Sequence, residues 1–210
     1  MTAPSPPPVP LVDVALTLGG RAVDLATRAL VAGVVPQPRF GREGEAVATA
    51  AALEDAGADL VDASLPPRLL GPVARAGHVP VAARAGSVDE AMAAAGAGAA
   101  IVLVPAARAQ VATALAAGGI DAALALVVDD LREVAAVRAL AADQGLVLAV
   151  DASRWAGATA MAGEAAAIAG GCRLVRTADV RRSRRVAEVM AAILAARRPS
   201  ALATGTGAEL

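Results

Sequence analysis

The chain has 210 residues, a formal net charge of −1 and a mean hydropathy of +0.58. This length is sufficient for one domain with a buried core. The near-neutral charge, with one Phe, one Trp and no Tyr, argues against a nucleic-acid reader, which needs a basic field or stacking rings. Its apolar runs are too short or too interrupted to predict a membrane span.

The residue types that are missing exclude further chemistry. All nineteen basic side chains are Arg, because the sequence contains no Lys, and it contains no Asn either. Without a lysine amine, a Schiff-base mechanism is excluded. A His-based metal site or a Ser-His dyad would have to use His78, the single histidine. The single Cys172 permits no internal disulfide and predicts a buried structural thiol in a cytoplasmic protein.

The chain opens with a Pro-rich stretch, residues 1–10, which we expect to be a disordered leader without signal-peptide features. The next segment, "VDVALTLGGRAVDL", predicts a β-hairpin about its Gly-Gly pair. Short apolar runs then alternate with Ala-rich helical stretches. The runs are residues 30–35, 58–64, 79–85, 99–105, 122–128, 146–151 and 173–177. Residues 199–210 have no periodicity and are expected to be a disordered tail, which leaves 11–198 as a single domain.

Repeated strand–helix units with nearly continuous apolar strands predict a parallel sheet with helices outside it. Three helical stretches end in a glycine that leads into a strand, as C-cap glycines do. An open doubly wound sheet is the alternative, but no G-x-G-x-x-G follows a strand. We therefore predict an α/β fold, a reduced TIM-like (β/α) barrel with an N-terminal β-hairpin. Seven parallel strands are recognisable, and an eighth near Pro105 or Gly118 is left open.

Five segments, in the right order, resemble the dihydropteroate synthase family, the pterin-binding barrels of folate biosynthesis. They are "LTLGGRAVDL", "LVAGVV" followed by Phe40, "EDAGADLVDAS", "LAVDASRW" and "VRTADV", and the resemblance extends from about residue 16 to 197. It implies a transferase that joins dihydropterin pyrophosphate to p-aminobenzoate, with Mg²⁺ assisting the loss of pyrophosphate. It also implies a dimer formed through the helices late in the chain.

Compared residue by residue, the resemblance implies that most of the pterin socket is absent. The family's first-loop Asn has no counterpart beside Pro36 and Gln37. Arg84 stands where the family has its third-strand Asp, and Leu103 stands where it has its fourth-strand Asn. Trp155 replaces the Lys that follows Ser-Arg in the family, and Ala178 replaces the His of its last strand. Residues that match the family are Asp129, Ser153, Arg154, Arg176 and Asp179. Each buried polar group left unpaired costs about 1–3 kcal/mol, so several such losses should abolish pterin affinity.

In a barrel of this kind the site lies in the loops after the strand C-termini. The candidate ligand- or anion-binding residues there are Arg176, Asp129, Asp151, Ser153, Arg154 and Arg84. Arg176 matches the family's diphosphate-binding arginine, whereas Arg181, Arg182, Arg184 and Arg185 are expected to form a solvated helix face. No catalytic residue and no metal ligand is predicted.

Several of these positions have competing interpretations. Asp151 is expected to face the mouth and to pair with Arg84 or Arg176, which would fill the site with a salt bridge. Asp129, with the residue after it, either binds a cation or caps a helix, and capping is favoured. Trp155 either closes the pocket, anchors a partner or packs under the next helix. Asp62 is either a ligand or an acceptor that fixes its loop.

The leading functional prediction is a diverged, non-catalytic barrel of this family that acts as a binding or partner protein. The alternative is a small-molecule enzyme or sensor of a phosphorylated or pterin-like ligand, using Arg176, Arg84 and Arg154 with Asp151 or Asp129 as base. A third is a subunit that forms a homo-oligomer or pairs with a true synthase through residues 181–197. No cofactor is predicted, except Mg²⁺ if synthase-like activity persists, and neither nucleic acid nor membrane is an expected partner.

Overall fold

The structure is a computed structural model that describes residues 15–18, 21–36 and 42–197. The predicted leader and tail, and Gln37 and Phe40 of the first loop, lie outside the described residues. None of the described helices combines the length and the apolar character needed to cross a lipid bilayer.

The described residues form nine strands and seven α-helices. The strands are β1 (Ala15–Leu18), β2 (Arg21–Asp24), β3 (Leu30–Val34), β4 (Leu60–Asp62), β5 (Val81–Arg84), β6 (Ile101–Pro105), β7 (Ala123–Val128), β8 (Val147–Asp151) and β9 (Leu174–Thr177). The helices are α1 (Glu43–Asp55), α2 (Pro67–Ala76), α3 (Val88–Gly96), α4 (Ala109–Gly118), α5 (Val134–Asp143), α6 (Gly157–Ala169) and α7 (Val180–Arg197). One-turn 3-10 helices, Ala106–Arg108 and Leu131–Glu133, precede α4 and α5.

Strands β3 to β9 form a closed parallel barrel in chain order, and β9 pairs with β3 through Leu30 opposite Leu174. The predicted barrel is confirmed, and the open-sheet alternative is wrong because the sheet has no edge. Within the described part of the chain the barrel has seven strands. Pro105 is the last residue of β6 and Gly118 the last of α4, so neither marks an eighth strand.

Alternating leucine and alanine side chains fill the barrel interior. Because side chains alternate across a strand, every second residue of each strand faces inward. The buried inward-facing cluster contains leucines from β3, β4, β6 and β9 and alanines from β3, β5, β7 and β8: Leu30, Leu60, Leu103, Leu174, Ala32, Ala82, Ala125 and Ala149. Large and small side chains thus interdigitate, which lets an aromatic-poor sequence pack a solid core.

The N-terminal hairpin closes one end of the barrel. β1 and β2 pair antiparallel, with Leu18 opposite Arg21, as the Gly-Gly pair predicts. Leu16, Leu18 and Leu25 are buried in the same cluster as the barrel interior. The hairpin therefore covers this end of the barrel interior with leucine side chains.

The helices approach the sheet closely because many of their contact residues are alanine or glycine. At Gly33 on β3, a Cβ atom would lie 2.8 Å from Cγ2 of Val180 and 3.0 Å from Cδ2 of Leu53. Gly33 therefore allows α7 and α1 to pack directly on β3. The predicted helix-ending glycines are also confirmed, since Gly57, Gly98 and Gly145 all have positive φ.

Candidate functional site at the barrel mouth

Four charged side chains come together where the strands end. Asp62, Arg84, Asp151 and Arg176 each lie two residues after an inward-facing apolar residue of the same strand. Because the side-chain period of a strand is two, they also face inward, one layer above the apolar core. With Ser64 and Ser153, which follow two of them, they form the mouth cluster.

Arg176 is the centre of the mouth cluster. Its Nε donates to Oδ2 of Asp62, and its Nη1 donates to Oδ2 of Asp151 and, at 3.3 Å, to Oγ of Ser153. Arg176 is buried and Asp62 is completely buried. Burial alone would lower the pKa of Arg176, but the two carboxylates outweigh it and raise the pKa above its ordinary value. Arg176 is thus a permanent cation that is already paired on two sides.

Asp151 links the two arginines. Its Oδ2 also accepts a hydrogen bond from Nη1 of Arg84 at 3.0 Å. Its Oδ1 accepts from the backbone N–H and the hydroxyl of Ser153, at 3.0 and 2.6 Å. Burial opposes ionisation, but the Ser153 hydrogen bonds and the charges of Arg176 and Arg84 together hold the pKa of Asp151 below its ordinary value. The predicted salt bridge from Asp151 is present, and it involves both arginines.

A repeated tripeptide builds both sides of this arrangement. Asp-Ala-Ser occurs at residues 62–64, after β4, and at residues 151–153, after β8. In each copy the serine hydroxyl donates to Oδ1 of the aspartate at 2.6 Å. Oγ of Ser64 also accepts the backbone N–H of Arg84 at 3.2 Å. Reasoning from the sequence missed this repeat, although both copies can be read in it. Asp62 proves to be an ion-pair partner of Arg176.

The remaining predicted candidates lie at the edge of the mouth cluster or outside it. Oδ1 of Asp129 is 4.0 Å from Nη2 of Arg84, and 73% of the Asp129 side chain is exposed. Arg154 is exposed. The neighbouring Asp130 accepts the backbone N–H of Arg132 at 2.9 Å, so the predicted capping function belongs to the second aspartate of the pair. The structure therefore brings Arg84, Asp151, Ser153 and Arg176 together, and leaves Asp129 and Arg154 largely in solvent.

A second buried polar group lies behind β9, between α6 and α7. Glu164 is completely buried, and its Oε1 accepts from Nη2 of Arg182 at 3.0 Å and from the Ser183 hydroxyl at 2.8 Å. The Ser183 hydroxyl is also 2.8 Å from Oγ1 of Thr177. These four residues form the helix-pair cluster. In the described part of the chain, Oε2 of Glu164 and Nε of Arg182 have no hydrogen-bond partner.

The helix-pair cluster corrects part of the prediction for the arginines of α7. Arg181 and Arg185 are exposed, as expected of a solvated face. Arg182 is not, because Glu164 on the adjacent helix binds it, and Arg184 pairs with Asp59 at 2.8 Å and Glu188 at 3.0 Å. No periodicity within α7 distinguishes the two paired arginines from the two exposed ones.

Trp155 and Cys172 have packing functions. The indole of Trp155 lies on α6, where a Cβ on Gly163 would be 2.8 Å from its Cζ3, so the interpretation of packing under the next helix is confirmed. Cys172 is completely buried, and burial raises the pKa of its thiol to about 12, against a smaller opposite effect of Arg173. A neutral thiol in this position is unreactive.

The mouth cluster does not fit a magnesium site. Among residues 15–18, 21–36 and 42–197, no three Asp, Glu, His or Cys side chains gather as a metal-binding group. The two inward-facing carboxylates, Asp62 and Asp151, already accept hydrogen bonds from arginine and serine. A hard cation needs several free oxygen ligands, which these residues do not offer.

No protein-family profile matches the sequence, and no curated protein matches it. Solved structures do match this chain. The dihydropteroate synthase of Yersinia pestis matches with a TM-score of 0.64 at 20% identity, over 86% of this chain and 99% of that one. The Xanthomonas albilineans enzyme in complex with 7,8-dihydropteroate matches with a TM-score of 0.62 at 19% identity, over 89% and 100%. The 7,8-dihydropteroate synthase from Vibrio fischeri matches with 0.65 at 12%, over 88% and 99%. The barrel and its hairpin therefore have the fold of the dihydropteroate synthases.

Proposed function

We propose that this chain is a dihydropteroate synthase-like barrel that does not catalyse pterin transfer and acts as a binding or partner protein. The observation that carries the proposal is the pairing of Arg176 with both Asp62 and Asp151. The arginine expected to hold a diphosphate is thus occupied by the protein's own carboxylates. Removing one partner of a buried ion pair costs about 3–5 kcal/mol, and 1.4 kcal/mol is tenfold in affinity, so a diphosphate would bind at least 100-fold more weakly.

The pairing of the mouth charges supports the same conclusion. Arg84 and Arg176 are paired with Asp62 and Asp151, and Asp129 lies 4.0 Å from Arg84. A phosphorylated substrate would therefore meet arginines whose charge is already balanced by carboxylates.

The positions that would contact a pterin do not make up for the lost diphosphate affinity. Leu103 is buried in the apolar interior, and Trp155 packs on α6. Because the whole chain lacks Lys and Asn, neither a lysine amine nor an asparagine amide is available to replace the missing contacts. A fused polar ring needs several convergent donors and acceptors, and the described residues around the mouth cluster do not provide them.

A synthase assay on the purified chain, with dihydropterin pyrophosphate, p-aminobenzoate and Mg²⁺, tests the loss of catalysis. We expect no turnover above the uncatalysed rate. The variant Asp151→Asn tests the reason, because it partly releases Arg176 and should bind inorganic pyrophosphate more tightly than the unmodified chain does. The matched control Asp129→Asn removes the charge of an exposed carboxylate at the same mouth, and its affinity for pyrophosphate should increase much less. Turnover by the unmodified chain would overturn the proposal.

The partner role is supported by apolar side chains on adjacent helices. Met161 on α6 and Val189 and Ile193 on α7 are exposed. Within the predicted contact segment 181–197, Met190 and Leu194 are buried in the chain's own core and are not available for a partner. Scattered apolar residues are normal, but Val189 and Ile193 are four residues apart on one face of α7, which favours a protein contact, with a second copy or with a true synthase in the cytoplasm.

Sedimentation of the chain alone and mixed with the host's synthase tests this contact. We expect a complex that Val189→Glu weakens. Val88→Glu is the matched control, because Val88 is also an exposed valine but lies on α3. A monomeric mass, both for the chain alone and for the mixture, would contradict the proposed contact.

The second candidate is a sensor or enzyme for a phosphorylated ligand. The observation that favours it is the accessibility of Asp129, Arg154 and part of Arg84 at the mouth. A thermal-shift screen of phosphorylated metabolites, repeated on Arg84→Gln, distinguishes it from the first proposal. Stabilisation that disappears in Arg84→Gln would favour the sensor, whereas the first proposal expects no stabilisation.

A further inference from the structure

A cavity of about 500 Å³ lies at the end of the barrel opposite the mouth. It is bounded by the hairpin, the first residues of β3 and β5, and the turns that precede β4, β5 and β6. We call it the lower cavity. Its volume lies within the range of about 300–1,000 Å³ that is typical of ligand pockets. The lower cavity shares no residue with the mouth cluster.

The walls of the lower cavity are mainly aliphatic. Leu18 and Val23 of the hairpin line it together with Val79, Pro80 and Val81. Small residues form the rest of the wall, among them Ala74 and Gly98. A surface of branched aliphatic and alanine side chains favours a flexible hydrocarbon chain, since it offers no ring for stacking.

One guanidinium group stands at the edge of this apolar space. Arg28 lines the lower cavity, its side chain is 46% exposed, and its Nη2 donates to Oδ1 of Asp59. Oδ2 of Asp59 accepts from Nη1 of Arg184 at 2.8 Å and from the backbone N–H of Val31 at 3.0 Å. Asp59 also lines the lower cavity, but its side chain is only 12% exposed, and it is shared by two arginines and a backbone donor. It holds Arg28 in place and leaves the other N–H groups of that side chain accessible.

The other ionisable groups nearby do not oppose an anion inside the cavity. His78 lines the edge and is exposed. Glu54 accepts the backbone N–H of His78 at 3.0 Å but does not line the cavity. The lower cavity thus combines a largely aliphatic lining with the Arg28–Asp59 ion pair, of which the guanidinium is the more accessible group.

We propose that the lower cavity binds a medium-chain aliphatic carboxylate. The alkyl chain lies among the leucine, valine and alanine side chains, and the carboxylate accepts hydrogen bonds from Arg28. Each methylene that enters the cavity should raise the affinity roughly fourfold, until the cavity is full. This site is independent of the function proposed for the mouth.

Calorimetric titration of the full chain with sodium octanoate tests the proposal. We expect saturable one-to-one binding that is tighter than that of hexanoate and tighter than that of octan-1-ol, which has the chain but no charge. Arg28→Gln should weaken octanoate binding at least tenfold and leave octan-1-ol binding nearly unchanged, and Arg181→Gln is the matched control on an exposed arginine. Ala74→Met should obstruct the cavity and weaken both ligands, whereas Ala93→Met, at an exposed position of α3, should weaken neither.

Two results would overturn the proposal. One is the absence of saturable octanoate binding. The other is binding that neither Arg28→Gln nor Ala74→Met changes, which would place the ligand elsewhere on the chain. Thermal unfolding of each variant establishes that it is folded, and because the two substitutions lie on different elements, either one alone decides the location of the ligand. Asp151→Asn should not affect octanoate binding, so failure at the mouth and failure at the lower cavity are distinguishable.

Discussion

The mouth cluster and the helix-pair cluster contain the same kinds of side chain but differ in how completely their charges are paired. In the mouth cluster, Arg176 bonds to two carboxylates, and each of these also accepts from a serine. In the helix-pair cluster, one oxygen of Glu164 and the Nε of Arg182 remain without partners among the described residues. Asp62 and Glu164 are both completely buried, so solvent screening of these carboxylates does not explain the difference.

The difference follows from the elements that supply the side chains. The mouth cluster is built at the ends of hydrogen-bonded strands, where the register fixes Asp151 directly opposite Arg176. The helix-pair cluster joins α6, β9 and the first turn of α7, which have no shared hydrogen-bond ladder. A common ladder thus positions donors and acceptors to a degree that packed helices do not.

The largest expected effect comes from removing a fully paired partner. Asp62→Asn leaves the buried Arg176 without one of its two carboxylates, so the free energy of unfolding should fall by about 3 kcal/mol or more. Urea denaturation measures this. The matched control is Asp129→Asn at the exposed rim, which should change stability by less than about 0.5 kcal/mol. Equal effects of the two variants would show that the mouth cluster is not held by its ion pairs.

A smaller loss is expected in the helix-pair cluster. Glu164→Gln should lower the free energy of unfolding by about 1–2 kcal/mol. The loss is limited because Arg182 still forms an ion pair with Asp179 at 3.6 Å, and because only one carboxylate oxygen of Glu164 is hydrogen-bonded among the described residues. The measurement is the same urea titration, with Glu188→Gln as an exposed control on α7. If Glu164→Gln lowers the free energy of unfolding more than Asp62→Asn does, the completeness of ion pairing does not determine how much a cluster contributes to stability.

The two Asp-Ala-Ser copies should respond alike. Ser64→Ala and Ser153→Ala each remove a 2.6 Å hydrogen bond to an aspartate, so each should cost about 1 kcal/mol. Thermal unfolding of both variants and of the double variant measures the individual and combined losses. A loss from one serine and none from the other would show that the copies are not equivalent supports of Arg176.

The smallest effect is a pH dependence from Asp151. Its pKa is lower in the folded chain than the ordinary value near 3.9, so its contribution to stability is complete above that value and is lost as the pH falls through the folded pKa. Between pH 5 and pH 2, the unmodified chain should therefore lose stability more steeply than Asp151→Asn does. Identical slopes would mean that Asp151 does not ionise more readily in the folded chain.

The fold was predictable because its signals are local. The strand and helix periods, the Gly-Gly hairpin and the helix-ending glycines each depend on residues within a few positions of one another, and the structure confirms them. The salt bridge of Asp151 was also predictable, since a carboxylate at one strand end was expected to face arginines at others. The bond between Asp62 and Arg176 joins residues 114 positions apart, and no local pattern indicates it.

The error at Arg182 has the same origin. Its partner Glu164 lies on another helix, and a charged residue in an alanine-rich helix looks solvated from sequence alone. The repeated Asp-Ala-Ser, by contrast, is a signal that the sequence itself contains. Two identical polar tripeptides after two apolar runs of a barrel indicate matched supports for a shared partner, which proves to be Arg176.

The central claim is that the ion pairs of Arg176 and the missing pterin contacts leave no synthase site. Calorimetric titration of the unmodified chain with dihydropterin pyrophosphate and Mg²⁺ tests it most directly. We predict no saturable heat at high ligand concentration. Clear one-to-one binding would contradict the account, because it would require Arg176 to leave its carboxylates, or another part of the mouth to hold the pterin.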